Sequence, residues 1–326
     1  MKILQVGLGG FGKNHLRVWH ELRQEVFIAD LKRESLDIGD IYGISSSKIS
    51  TDPSDFLYLV DAIDVVTPTD THHDLCVAAL EAGKDVFVEK PIAKTSDEAK
   101  DLVNIVQESG RILQVGHLFR FNPAVEYIKK MIQDGVLGEL RCLEGDFSGF
   151  KRCRNDVGVV ATDAIHFIDL FNYFLNGLPD KVYAVTRDHF GRGIEDWGVV
   201  TLHYGSRAAT VEVGNIQPGK KRDILIIGSN ATIVCDVEAQ RVEVHYNHHE
   251  KKGNVWTGIE GKGERPSITT KEPLTQELRY FMDCVMKRTQ PIADARAGFN
   301  LLRIVEASYE SARSGREVKV DYNGNQ

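Results

Sequence analysis

The feature that most limits what this chain can fold into is Gly7-Leu8-Gly9-Gly10-Phe11-Gly12. It lies directly after the apolar run Ile3-Leu4-Gln5-Val6 and directly before a helix-like stretch over 13–22. Strand, glycine turn and helix in that order put backbone N–H groups at a helix start, and the missing side chains let a pyrophosphate approach them. A tight turn that binds nothing is the plain alternative, and the context argues against it. A second strand, 25–29, ends at Asp30, 18 residues beyond Gly12 and close to the ~20 expected of a carboxylate that holds a ribose diol. An Asp there accepts hydrogen bonds from both hydroxyls and repels a 2′-phosphate. NAD is therefore favoured over NADP, with Lys32 and Arg33 near enough to soften the preference.

Further apolar runs at 62–66 and 85–88 alternate with helical stretches at 73–82 and 95–108, and 111–116 reads as a last strand. Strands alternating with helices predict a doubly wound, parallel Rossmann-type α/β sheet. Its boundary falls near 117–122, which gives an expected NAD-binding domain over 1–120. Residues 121–326 have a different grain. After a helix around 124–134, strands are expected at 139–147, 181–188, 197–204, 208–216, 223–228, 232–237 and 241–246, several of them separated by turn signals such as Gly205-Ser206. Short links predict a large, mainly antiparallel sheet in an α+β domain, with helices at 157–175 and 275–287 covering one face. Glycine-rich, charged 248–267 is expected to be a mobile loop, and 295–314 a closing amphipathic helix.

Composition narrows the function. With 326 residues the chain is long enough for two domains, and no apolar stretch approaches the ~18 residues a membrane span needs. Forty Lys and Arg against 47 Asp and Glu leave a net charge of −7, so no global field draws in nucleic acid or an anionic membrane. Five cysteines without a CxxC spacing fit a reducing compartment, and a strand at the very start leaves no room for a leader peptide. A cytoplasmic location is expected.

Two further constellations fall at strand ends, where ligands gather in an open α/β sheet. The first is Thr67-Pro68-Thr69-Asp70-Thr71-His72, after the strand that ends at Val66. Thr71 or Asp70 could equally cap the next helix, with His72 and His73 as first-turn surface residues. The second is Glu89-Lys90-Pro91, a lysine rigidly mounted between an apolar strand and a proline. Neither His72-His73 nor His248-His249 has the spacing of a metal pair, so no metal site is expected.

GLGGFG at 7–12, TPTDTH at 67–72, AGKDVFVEKPIAKT at 82–95, GHLFRFNPAV at 116–125 and IHFID at 165–169 occur in the order seen in the glucose–fructose oxidoreductase, inositol dehydrogenase and rhizopine-catabolism (Gfo/Idh/MocA) family, which the chain resembles over nearly its whole length. The resemblance implies a nicotinamide-dependent oxidoreductase acting on a secondary alcohol of a sugar or cyclic polyol. It implies that Lys90 touches both cofactor and substrate and that His166 serves as acid or base. A cation beside the reacting oxygen stabilises alkoxide character, and an imidazole takes the proton near neutral pH. The cofactor set it implies is Gly7, Leu8, Gly9, Gly10, Phe11, Gly12, Asp30, Thr67, Pro68, Thr69, His72, Glu89, Lys90 and Arg120.

One departure matters. The family often carries Asp four residues before the histidine, where this chain has Thr162, with the carboxylate displaced to Asp163. Asp163 could orient His166 or the substrate from the shifted place, Thr162 could bind the substrate, and Asp169 could serve as the partner instead. Just ahead, Lys151, Arg152 and Arg154 precede Asn155-Asp156-Val157-Gly158-Val159-Val160, which resembles the stretch of members that oxidise the 3-hydroxyl of UDP-N-acetylglucosamine-type sugars, and three cations beside the expected site could clamp a substrate diphosphate. A solvated strand end is the alternative. The expected substrate is thus a sugar or nucleotide sugar, with a free-sugar or myo-inositol dehydrogenase as runner-up and a non-catalytic cofactor-binding regulator as the reading from another class. A broad sheet in the second domain predicts a homodimer or homotetramer built on its open face.

Overall fold

The computed structural model describes residues 1–323, which divide into two compact units. One comprises Met1–Leu118 and Glu272–Leu302, the other Phe119–Lys271 and Arg303–Asn323. In the first, β1 (Lys2–Val6), α1 (Gly12–Glu21), β2 (Glu25–Ala29), the one-turn α2 (Ile38–Ile41), β3 (Ile49–Ser50), β4 (Ala62–Val65), α3 (His72–Glu81), β5 (Asp85–Glu89), α4 (Ser96–Ser109) and β6 (Leu113–Gly116) follow one another. The six strands are all parallel, in the order β3-β2-β1-β4-β5-β6. Strand order reverses between β1 and β4, which makes their carboxyl ends the switch point where ligands bind. Strands covered on both faces must be apolar throughout, and β5 is buried at every position. Helix α4 starts on a Thr95–Glu98 capping box, worth about 1 kcal/mol, and stops at the left-handed Gly110.

The second unit contains α5 (Pro123–Gln133), β7 (Leu140–Phe150), α6 (Ile165–Leu175), β8 (Lys181–Arg187), β9 (Trp197–Tyr204), β10 (Arg207–Gly214), β11 (Ile216–Gly228), β12 (Thr232–Asp236), β13 (Arg241–His245), β14 (His248–Lys252), β15 (Val255–Ile259), β16 (Gly263–Glu264) and β17 (Val318–Lys319). Nine strands form one sheet in the order β16-β13-β12-β11-β7-β10-β9-β8-β17. Along β9 every second residue is buried, the alternation of a sheet with one face on a core. Helix α6 supplies that core with Phe167 and Phe171, and it comes so close at β7 that a Cβ on Gly145 would lie 2.5 Å from the Phe167 ring.

The structure differs from the sequence reading in three places. Helix α7 (Pro273–Lys287) does not cover the large sheet; its stripe of Leu274, Leu278, Phe281 and Cys284 packs with Leu16, Trp19 and Phe87 in a core of the first unit. The first part of α8 (Ala295–Ser314) is likewise counted with the first unit as far as Leu302. Residues 272–302 are thus counted with the first compact unit although they follow the second in sequence, because an amphipathic stripe shows that a face is buried but not against what. The large sheet is mainly antiparallel, as expected: only β7 and β10 pair in parallel, and every other neighbouring pair is antiparallel. Strand β11 begins at Ile216, well before the expected 223, with a bulge that absorbs the Pro218-Gly219 turn signal. Finally, 248–267 is not an unstructured loop, since β14 and β15 form a hairpin about the left-handed Gly253. Both its strands are largely exposed, so no apolar alternation betrays them.

Candidate functional site

In the first unit the glycine turn closes the switch point. Gly7 has φ +99°, and a Cβ on it would meet the Val66 carbonyl at 2.4 Å; a Cβ on Gly12 would meet the Gly7 carbonyl at 2.2 Å. The fold itself requires those two glycines. Gly9 and Gly10 are different, for a Cβ on either would meet nothing within 4 Å. Beside them no side chain caps the start of α1; the Lys13 and Asn14 N–H groups donate to the carbonyls of Gly9 (3.1 Å) and Phe11 (2.9 Å), which leaves the N–H groups of Gly10 and Phe11 in the turn to face an anion. Buried Gln5 staples the turn from below, donating from Nε2 to the carbonyls of Gly7 (3.1 Å) and Gly12 (2.7 Å). Asp30 accepts the Leu8 N–H at 2.7 Å through Oδ2 and the Lys32 N–H at 2.8 Å through Oδ1. Both oxygens keep a second lone pair for a ribose diol. An open cradle over bare N–H groups with a carboxylate at its far end fits a dinucleotide.

A substitution pair separates the two kinds of glycine. Gly9→Ala is expected to leave the unfolding temperature unchanged and to weaken NAD binding at least tenfold, whereas Gly12→Ala lowers stability by about 2 kcal/mol or more through overpacking. Thermal denaturation with and without NAD reads both effects. Equal destabilisation by the two variants would contradict the assignment.

Beneath the cradle lies a charged cluster that the sequence reading did not find. His15, on the first turn of α1, is fully buried, with Nδ1 3.0 Å from Asp64 Oδ2 on β4 and Nε2 3.3 Å from Glu89 Oε1 on β5. Trp19 Nε1 donates to the same Asp64 oxygen at 2.6 Å. Burial alone would push the imidazole down, but the charge and hydrogen bond of Asp64, joined by Glu89, push it up to about 10. Glu89 also accepts the Lys90 N–H through Oε2 at 3.1 Å, and its carboxylate fills the place a Cβ on Gly116 would take. Glu89 thus faces inward as an anchor for the end of β5, and Lys90 follows half-buried at the sheet edge.

The 67–72 segment is tied to that same edge. His72 is buried, with Nε2 2.9 Å from the Thr67 carbonyl and Nδ1 2.8 Å from the Pro91 carbonyl, so its ring straps the loop to the turn after Lys90. Thr71 donates to Thr67 Oγ1 at 2.7 Å, while Pro68 is exposed and Thr69 partly buried. The adjacent His73 pairs with Asp74 and Asp101 on the surface.

In the second unit a turn of π-helix, Val160–Ala164, widens the chain just ahead of α6, a deviation that recurs at functional sites. Glu195 Oε1 accepts the Val160 N–H at 3.1 Å and the Tyr309 hydroxyl at 2.8 Å, which holds the turn. His166 emerges partly exposed from the first turn of α6. Its ring stacks on Phe147 (centroids 5.4 Å apart, planes 15° apart) and leans on Phe119 at 5.0 Å. Asp163 is buried and its Oδ2 takes Lys151 Nζ at 2.6 Å, whereas the Thr162 hydroxyl turns back to the Gly158 carbonyl at 2.9 Å. Of the two residues ahead of His166, the carboxylate therefore meets a cation and the hydroxyl serves the local helix. Asp169 forms a two-pronged ion pair with Arg120, whose Nε lies 2.8 Å from Oδ2. That buried pair locks the start of the unit to α6 and fixes the place of Arg120, one of the expected cofactor contacts. Arg154 pairs with Asp156 in solvent and Arg152 is exposed.

Comparison with known proteins agrees with this geometry. Residues 1–117 match the family model for the oxidoreductase family, NAD-binding Rossmann fold, and 129–320 the model for its C-terminal alpha/beta domain. A scyllo-inositol 2-dehydrogenase (NAD(+)) of Bacillus subtilis is 30% identical over 80% of this chain and 78% of its own. A UDP-N-acetylglucosamine 3-dehydrogenase of Acidithiobacillus ferrooxidans is 25% identical over 91% of this chain and 92% of its own. The solved structure of levoglucosan dehydrogenase in complex with NADH and levoglucosan superposes with a TM-score of 0.83 at 19% identity, covering 98% of this chain and 99% of that one. With two family models spanning nearly its whole length and a dinucleotide cradle at the switch point, the chain belongs to the Gfo/Idh/MocA family of NAD-binding oxidoreductases.

Proposed function

We propose that this protein oxidises a secondary hydroxyl of a sugar or nucleotide sugar, with Lys90 and His166 handling the proton. The observation that carries this reading is the mounting of Lys90: the Glu89 carboxylate, clamped by His15, accepts its N–H, and His72 straps the following Pro91. A lysine held that firmly at the carboxyl end of a parallel strand is built for chemistry rather than solubility. When bound, NAD supplies the hydride acceptor. Lys90 presents a cation to the substrate oxygen as it gains alkoxide character, and His166 takes the departing proton. Asp163 and Lys151 form the polar wall beside His166, and Gly9, Gly10, Asp30 and Leu8 hold the cofactor.

A UDP-N-acetylglucosamine-type substrate is one reading and a neutral polyol the other. Turnover of the full chain with NAD on UDP-N-acetylglucosamine and on myo-inositol separates them; reduction of NAD by neither would overturn both. The half-exposed face of the nine-stranded sheet, with Val199 and Thr201 of β9 and Val234 of β12, supports self-association through that sheet. A monomeric mass by light scattering at micromolar concentration would contradict it.

A further inference from the structure

Arg222 on β11 sits directly across from Phe147 on β7, and its guanidinium carbon lies 3.5 Å from the centre of that ring. Phe147 is the ring on which His166 stacks. Arg222 is only 9% exposed, yet it has no carboxylate within ion-pair distance among the described residues. Its Nη1 donates to the carbonyls of Ser148 (2.9 Å) and Lys221. Nε and Nη2 donate to no protein acceptor, and neither is among the fully buried polar atoms, so that edge of the fork still meets solvent. Its basic neighbours differ: Lys151 pairs with Asp163, Lys220 with Glu238 and Lys221 with Asp146.

Asp163, Glu238 and Asp146 act on the guanidinium only from a distance, each being bonded to a lysine, so a charge drawn this far out of water lacks a contact anion, and an arriving one removes that cost. The open Nε–Nη2 edge is a two-donor fork matched to two oxygens of a carboxylate or a phosphate. Asp163, three residues before His166, has its charge answered by Lys151 at 2.6 Å. We infer that Arg222 receives an anionic group of the substrate, a carboxylate or a phosphate, beside His166. The inference rests on the dehydrogenase reading above and narrows its substrate to a charged sugar. It also shifts anion recognition away from Arg152 and Arg154, which lie in solvent.

The test is a calorimetric titration of the full chain, loaded with NADH, with D-glucuronate, UDP-N-acetylglucosamine and neutral D-glucose. The wild type is expected to bind at least one of the two anions more tightly than glucose. Arg222→Met keeps the stem over Phe147 and should weaken that anion about tenfold or more, leaving NADH affinity unchanged. Arg222→Lys keeps the charge without the fork and should fall between. A loss confined to glucuronate identifies a carboxylate, and one confined to the nucleotide sugar a phosphate. Equal affinity of the wild type for glucose and both anions, or parental anion affinity in Arg222→Met, overturns the inference. If Arg222→Met does not fold, parental anion affinity in Arg222→Lys overturns it instead. Failure of NADH to bind the wild type is a separate result, against the dehydrogenase reading itself.

Discussion

Replacing Lys90 with Ala is expected to lower kcat by about 10²–10⁴-fold while NAD still binds. The lysine follows the last residue of β5, a strand buried along its whole length, and its own N–H is held by Glu89. Losing the side chain beyond Cβ therefore leaves its mounting intact, and the dinucleotide cradle at Gly9 and Gly10 is formed by other parts of the chain. What disappears is the cation proposed to stabilise charge developing on the substrate oxygen. An interaction made mainly in the transition state lowers kcat and kcat/KM together, and that joint fall distinguishes chemistry from binding. Steady-state rates and a fluorescence titration with NADH measure the two sides. Unchanged kcat would remove Lys90 from the reaction.

The second large effect is on stability. His15→Ala is expected to cost about 3–5 kcal/mol, because it leaves Asp64, itself fully buried, without its cationic partner. The same pair predicts a pH dependence. The imidazole is raised from 6.5 to about 10 in the folded chain, so the stability it contributes is fully present below about pH 6.5 and is lost as pH rises through about 10. Urea unfolding of the wild type should show falling stability across that window. In His15→Ala the slope should be absent. A wild-type profile that is flat from neutrality to pH 10 would mean that the imidazole is not held as a cation. Because His15 joins α1 to the end of β5, the variant should also displace Lys90 and lose activity beyond its loss of stability.

Much of the first unit could be read from residue order alone. The glycine turn, Asp30 and the alternation of apolar runs with helices all carry their meaning locally, within one strand–turn–helix unit. The His15–Asp64–Glu89 cluster does not, since its members come from separate elements and meet only because β4 and β5 run side by side beneath α1. Asp64 inside an apolar run was the one available signal, because a carboxylate in the middle of a buried strand must have a partner. The tie that His72 makes between two loops is also absent from the local pattern, since its partners, the carbonyls of Thr67 and Pro91, come from the ends of different strands. Arg222 was hidden for another reason: it lies in a stretch of lysines and turn residues that reads as a solvated loop, and only the long β11 brings it across from Phe147. Pairing between distant strands is the information that local periodicity lacks.

In the proposed reaction this chain moves a hydride from a sugar carbinol to NAD. A label follows that transfer when the full chain is loaded with NAD, the best-bound sugar deuterated at its reacting carbon is added, and the products are read by mass spectrometry. NADH carrying one deuterium on the nicotinamide ring is expected, with the signal lost in Lys90→Ala. Bound NAD that no sugar reduces, or NADH formed without the label, would contradict it and leave a cofactor-binding protein without the chemistry.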